Sequence, residues 1–308
     1  CLYPDSHPGG MLHLRTLGAF SLLRPDGSPI AVQRRPFALL ALVAAAGARG
    51  SSREKALGVL WPDADEERAR HALAQTLYAL RRSCRADVID GAATLRLDPS
   101  LITADVTELE SALGARDHER AAALYAGPFL DGFHLPNAGD FEQWVERERA
   151  RLQRSVARAI ESCATDAATA GKPREAVEWW RRAAVLDPLD GRVALALAES
   201  LESAGDVAGA VKHVHLHQAL RRAQLDLPPD PALDAFARRL RVGSQEPRSA
   251  SIKAASDAPA QRTLPVPEND AAQHEATSEA EPLHEDRPPT AAASARVRRH
   301  SGPRIIPW

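Results

Sequence analysis

Apolar and polar positions alternate loosely at the start of the chain. Leu12, Leu14, Leu17, Phe20 and Leu22 precede a Pro25-Asp26-Gly27-Ser28 turn, and Ile30 and Val32 follow it. A period near two, punctuated by a turn whose Asp and Gly tolerate tight backbone, predicts a small N-terminal β-sheet. The period then lengthens towards that of a helix. Residues 36–46 form an apolar run stopped by Gly47, and Ser51-Ser52-Arg53-Glu54 has the spacing of a capping box that would open a short helix running to Trp61, where Pro62 breaks it. Asp63-Ala64-Asp65-Glu66 sets acid at the positive end of a third helix, which runs to about Cys84. Val88-Ile89-Asp90 and Thr94-Leu95-Arg96-Leu97, joined by Gly91-Ala92-Ala93, predict a hairpin. The predicted order is sheet, three helices, hairpin.

From Asp105 to about Leu240 nearly the whole chain has helical periodicity, and it contains a repeat. Gly171-Lys172-Pro173-Arg174-Glu175-Ala176-Val177 recurs as Gly205-Asp206-Val207-Ala208-Gly209-Ala210-Val211, an offset of 34 residues, the tetratricopeptide period. Cys163 and Leu197, Ala167 and Leu201, Trp180 and Val214, and Leu186 and Leu220 keep the same offset. Each unit therefore predicts a helical hairpin. Beyond Val242, Pro, Ala, Ser, Glu and His dominate and large apolar residues thin out. Such a segment cannot bury enough surface to offset its ordering entropy, so residues 243–308 are expected to be a disordered tail. Its Arg296-Val297-Arg298-Arg299 cluster suits a solvated tail or an auxiliary contact to phosphate. Residues 1–10 precede the patterned sequence and are expected to be an unstructured extension.

The third helix carries the candidate chemistry. With Leu73 at the centre of its buried face, Ala69, Leu77, Leu80 and Cys84 fall close to the same direction at about 100° per residue. The opposite face then holds Arg68, His71, Gln75, Tyr78 and Arg82. Arg can pair with guanine and Gln with adenine in a major groove, while Tyr and a second Arg suit phosphates. Arg and Gln are also common on any solvated helix face, so this pattern alone leaves both readings open. The surrounding order of elements, however, is that of a winged helix, in which the third helix enters the groove.

Residues 12–98 resemble the OmpR/PhoB-type winged helix of SARP-family regulators (Streptomyces antibiotic regulatory proteins). The resemblance rests on Leu17-Gly18-Ala19-Phe20, Arg34-Arg35-Pro36, Leu60-Trp61-Pro62-Asp63, and Ala69, Leu73, Leu77 and Leu80-Arg81-Arg82. It implies that the helix at 66–84 is the recognition helix. Many such wings carry Arg at the hairpin tip followed by Gly-Tyr-Arg-Leu. Here the tip is Asp90-Gly91-Ala92-Ala93 and Thr94-Leu95-Arg96-Leu97 follows, so Arg96 is the one basic residue kept and the tip itself is acidic.

Residues 101–241 resemble the bacterial transcriptional activator domain. The carrying blocks are Tyr125-Ala126-Gly127-Pro128-Phe129-Leu130-Asp131-Gly132-Phe133, then Phe141-Glu142-Gln143-Trp144-Val145-Glu146-Arg147-Glu148-Arg149 with Leu152, then Leu186-Asp187-Pro188-Leu189-Asp190. The aromatic residues of these blocks suit core packing at a corner between helices better than a cofactor box.

The expected fold is thus mostly α: residues 11–100 form an α+β winged helix-turn-helix domain, residues 101–242 an all-α, TPR-like helical repeat domain, and a disordered C-terminal tail follows. Hydrophobic residues make up 44% of the chain but aromatics only 5%. Ala and Leu must therefore build the core, which favours helix. The formal net charge of −2 divides unevenly: residues 11–100 carry 13 Lys and Arg against 9 Asp and Glu, whereas residues 101–242 carry 18 against 22. The N-terminal part is accordingly the one suited to phosphate.

The three cysteines, Cys1, Cys84 and Cys163, form no CxxC pair, which fits a reducing cytoplasm and gives no structural zinc pattern. No apolar run approaches membrane-spanning length and no signal-peptide pattern opens the chain. His213 and His217 would share a helix face with His215 turned away, but Val214 stands where a zinc-protease motif needs Glu. Gly-rich phosphate loops and GxSxG are missing, so neither a cofactor nor an enzymatic activity is expected.

The resemblance implies a cytoplasmic regulator that binds double-stranded promoter DNA and activates transcription. Its helical domain would hold a homo-oligomer together, and RNA polymerase would be a further partner. The competing expectation is a TPR-like protein-interaction scaffold whose winged helix does not bind DNA.

Overall fold

Residues 34–45 are an apolar run opened by two arginines, and in the computed structural model, which describes residues 10–242, they form the buried centre of the N-terminal region. This helix, α1 (Arg34–Ala45), buries every position from Pro36 to Ala44. Around it lie β1 (Leu12–Arg15), β2 (Ser21–Leu23), β3 (Pro29–Ile30) and, after a 3₁₀ turn at Gly47–Arg49, β4 (Ser51–Ser52). Next come α2 (Arg53–Leu60), α3 (Glu66–Cys84), β5 (Ile89–Asp90) and β6 (Thr94–Leu97). Strands β1–β3 are antiparallel, with Leu14 opposite Leu22 and Leu22 opposite Ile30. The predicted hairpin is present, Ile89 pairing with Leu97 and Asp90 with Arg96.

Two strands were not predicted. Ser51 and Ser52 pair with Leu95 and Thr94, so the hairpin gains β4 as a third strand. Further on, β7 (Ile102–Ala104) runs parallel to β1 and gives the sheet order β3-β2-β1-β7. The capping box is not formed. Ser51 is taken up by β4, and Ser52 is the N-cap, its hydroxyl accepting from Lys55 N at 3.1 Å. The third helical position then holds Lys55, which cannot return the reciprocal bond that Glu would make.

The helical region comprises α4 (Asp105–Gly114), α5 (His118–Leu124), α6 (Gly139–Thr169), α7 (Pro173–Leu186), α8 (Gly191–Ser203), α9 (Val207–Leu225) and α10 (231–242). The 34-residue offset is structural. Helices α6 and α8 end at Thr169 and Ser203, and α7 and α9 start at Pro173 and Val207. Gly171 and Gly205 make the intervening turns at φ +71° and +85°. Cys163 and Leu197, Ala167 and Leu201, and Trp180 and Val214 are all buried. Consecutive helices from α4 to α9 pack on one another as a stack.

The two regions share one core, and the loop 125–138 joins them. Phe129 forms a bridge with Leu17. Gly18 N donates to Pro128 O at 3.0 Å and Leu130 N to Thr16 O at 2.6 Å. Gly18 lies at φ +72°, and a Cβ there would stand 2.7 Å from Ala126 O, so the chain can pass only because residue 18 is glycine. Arg149 on α6 clamps the other side, donating from Nε to Phe129 O and from a terminal nitrogen to Leu130 O at 2.7 and 2.6 Å. Asp105 at the start of α4 accepts from Thr16 N, Thr16 Oγ1 and Leu17 N at 2.6–2.9 Å. Phe133, Phe141 and Trp144 stack edge-on or tilted with Phe37, Phe129 and one another, which is the core role their sequence suggested.

Candidate nucleic-acid interface

Helix α3 is set by its ends and its buried stripe. Asp65 caps it, Oδ1 accepting from Arg68 N at 2.9 Å. Glu66 and Glu67 lie in its first turn and Arg81 and Arg82 in its last, each matching the helix dipole. Arg85 closes the helix in the left-handed conformation at φ 57°. Ala69, Leu73, Thr76 and Leu80 are buried, and α3 packs on α1 and α2 through this stripe. Leu77 and Cys84 are partly buried beside them. Thr76 belongs to the buried stripe although it is polar, because its hydroxyl donates to Ala72 O at 2.8 Å and leaves no unpaired group. Burial pushes the Cys84 thiol up to about 11, so it is a packing residue rather than a nucleophile.

Arg68, His71, Gln75, Tyr78 and Arg82 are all exposed on the face opposite that stripe. Tyr78 is 68% exposed. Over 14 residues the face extends roughly 21 Å at the helical rise. Arg68 Nε lies 3.2 Å from Asp65 Oδ2, and Gln75 Nε2 lies 2.9 Å from His71 Nε2. Both contacts are exposed, and such pairs contribute at most about 1 kcal/mol, so they leave the side chains free to change partner. Among the described residues Arg82 makes no hydrogen bond or ion pair. The face is therefore graded: Arg68 is paired with acid at its start, and Arg82 is unpaired among the described residues at its end.

Arg96 does not join this face. It sits exposed on β6, where Nε donates to Ala48 O at 3.2 Å. At the hairpin tip Asp90 Oδ1 accepts from Gly91 N, and Arg53 donates to Gly91 O at 3.3 Å. Two exposed cations went unnoticed in the sequence. Lys55 lies in the first turn of α2 and Arg85 caps the end of α3, and neither side chain has a partner among the described residues. A helical wheel confined to one helix could not have found them. Among the described residues there is no group of three or more side chains able to hold a metal ion. His213 and His217 do share a face, but both are packed inward while His215 is exposed. No helix of the described residues is long and apolar enough to cross a membrane.

Residues 101–241 match the family model of the bacterial transcriptional activator domain. A comparison with curated proteins gives no match. Among solved structures, the chain is similar to Mycobacterium tuberculosis EmbR in complex with a low affinity phosphopeptide, at 18% identity and a TM-score of 0.53. The likeness covers 75% of this chain and 65% of the EmbR chain, so this chain spans somewhat less than two thirds of that protein. Residues 101–241 are thus similar to the bacterial transcriptional activator domain, and the likeness to EmbR is one of fold.

Proposed function

We propose that the chain binds double-stranded promoter DNA sequence-specifically and activates transcription in the cytoplasm, with α3 in the major groove. The observation that carries this reading is the sidedness of α3. One stripe is held in the core by α1 and α2, and the other presents Arg68, His71, Gln75, Tyr78 and Arg82 to solvent. Arg68 and Gln75 have the donor geometry for guanine and adenine edges. Tyr78 and Arg82, towards the basic end, meet phosphates, and Lys55 and Arg85 extend the phosphate-facing surface on either side. A bidentate base contact gives about 1–3 kcal/mol of discrimination, more than the exposed Arg68–Asp65 pair it displaces. Arg96 contributes from the wing at the groove edge, where Asp90 limits how closely the tip approaches phosphate. The activator domain supports the activating sign, and contact with RNA polymerase completes the reading.

Selection of bound DNA from a random pool by the full chain tests it. A defined motif that loses preference at one position in Arg68→Ala and at another in Gln75→Ala is the expected result. Failure to enrich any motif overturns the reading in favour of a protein-interaction scaffold.

A further inference from the structure

Between α6 and the turn that joins α7 to α8 lies a cavity of about 230 Å³. The block Leu186-Asp187-Pro188-Leu189-Asp190 makes that turn. Helix α7 ends at Leu186, and Asp190 caps α8 by accepting from Arg192 N at 2.8 Å and Val193 N at 3.3 Å. Gln153 on α6 holds the turn in place, its Nε2 donating to Leu186 O at 2.7 Å. Ala157, Ala183 and Val193 give the cavity an apolar lining, and the latter two are buried. Its polar lining is three cations, Arg154, Arg158 and Arg192, and three carboxylates, Glu161, Asp187 and Asp190.

These six charges do not cancel in pairs. Arg192 uses both Glu161 oxygens, at 2.9 and 2.7 Å, and lies 3.3 Å from Asp190, so these three are satisfied among themselves. Arg154 and Arg158 are exposed and have no acidic partner among the described residues; Arg158 donates only to the Ser155 hydroxyl, at 3.1 Å. Asp187 is exposed, accepts from Leu189 N at 3.3 Å and pairs with no cation among the described residues. Earlier on α6, arginines are neutralised locally: Arg149 pairs with Glu146 and Arg151 with Glu148, each three residues before, at 2.6 and 2.7 Å. The residues three before Arg154 and Arg158 are Arg151 and Ser155. Two arginines four apart on one helix face repel each other, so this edge of the cavity favours an anion.

We propose that the cavity binds a free α-amino dicarboxylic acid. Once Arg192 is set aside with its acids, two guanidinium groups and one carboxylate remain, and a ligand with two carboxylates and one ammonium carries the complementary set. Arg154 and Arg158 each take a carboxylate, to which the planar guanidinium fork offers two parallel hydrogen bonds. Asp187 takes the ammonium, and the short aliphatic stem lies against Ala157, Ala183 and Val193. A plain dicarboxylate leaves Asp187 facing an anion, and a plain amine leaves both arginines facing a cation. The volume is below the roughly 300–1,000 Å³ of sites for drug-sized molecules, which suits a small metabolite. The proposal rests on the helical region alone and is independent of whether α3 reads DNA.

Isothermal titration calorimetry of the full chain with L-glutamate and with L-aspartate tests it. At least one of the two is expected to give a saturable heat and to raise the melting temperature, because a ligand that binds only the folded state stabilises it. Glutarate and succinate, which lack only the ammonium, and inorganic phosphate should bind about tenfold more weakly or not at all. Arg154→Ala and Arg158→Ala should each weaken the amino acid by about tenfold or more, the loss of a charge-assisted bond. Asp187→Asn should remove the preference for the amino acid over the matching dicarboxylate. The three side chains are exposed, so each variant should melt like wild type without ligand. No saturable binding of either amino acid overturns the proposal. Equal binding of a dicarboxylate or phosphate reduces the site to one for anions and overturns the ligand class. Binding that survives all three substitutions places the ligand elsewhere and overturns the site.

Discussion

At the scale of single residues, the α3 face and the Gly18 contact make separable predictions. Arg68→Ala and Gln75→Ala should each weaken binding to the selected site by about 1–3 kcal/mol and relax one base position. Arg82→Ala should weaken all sequences alike and lower the slope of log affinity against log salt by about one. Titration of selected and scrambled duplexes at several salt concentrations separates these behaviours. Equal losses on both duplexes for all three variants would make the face a nonspecific phosphate surface. Gly18→Ala places a side chain on positive φ and against Ala126 O. The conformation alone should cost about 1–3 kcal/mol, read as a lower urea midpoint. Its counterpart Gly27, also at positive φ but with nothing within 4 Å of a Cβ, should respond to alanine through the conformational term only.

At the scale of elements, α9 carries a pH dependence. His217 is held below its ordinary value first by burial and then by Arg221, and His213 first by burial and then by His217. Both Nε2 atoms are buried without a hydrogen-bond partner. A lowered imidazole value means that the unfolded chain takes up protons before the folded one as pH falls. This part of the stability is therefore complete above the ordinary value of 6.5 and is lost progressively below it. The melting temperature should fall on going from about pH 7 to pH 5, and His217→Leu should make that fall shallower. An unchanged slope in the variant would place the pH dependence elsewhere.

The same scale shows what was legible in the chain. Helix α3 could be read as a two-sided helix because its stripe is local: Ala69, Leu73 and Leu80 recur at helical spacing within one element. The hairpin and the 34-residue repeat were legible for the same reason. Ser51 was misplaced because two adjacent serines are equally good caps, and only its pairing with Leu95 assigns it to β4. The partnership of β7 with β1 was invisible, because roughly ninety residues separate Ile102 from Leu12 and a parallel pairing leaves no turn signal between them. The five candidate residues on α3 were placed on the solvent side as expected. Arg96 was chosen by resemblance, and its tie to Ala48 O depends on a contact across 48 residues that no local pattern records.

At the scale of the whole molecule, the boundary expected near residue 100 cuts through one sheet. Strand β7 and Asp105 lie beyond it, yet β7 lies beside β1, and Asp105 satisfies the backbone N–H groups of Thr16 and Leu17. Thr16 is fully buried and Leu17 nearly so, and each buried donor left unpaired costs about 1–3 kcal/mol. A chain cut to residues 11–100 would lose those acceptors, the β1–β7 hydrogen bonds and the Phe129 contact with Leu17 together. Against the 5–15 kcal/mol typical of a folded domain, that combined loss is large. The fragment 11–100 should therefore melt well below a fragment 10–242, and α3 should hold its geometry only in the longer one. Circular dichroism melts of the two fragments, with hydrogen exchange at Leu73 and Leu80, provide the measurement. A fragment 11–100 as stable as 10–242 would show that the winged helix stands alone and that the Asp105 contacts only orient the helical stack. Joint loss of stability and of α3 protection would show instead that the helical region maintains α3, so that a displacement of α4 or of the 125–138 loop is felt at Arg68 and Gln75.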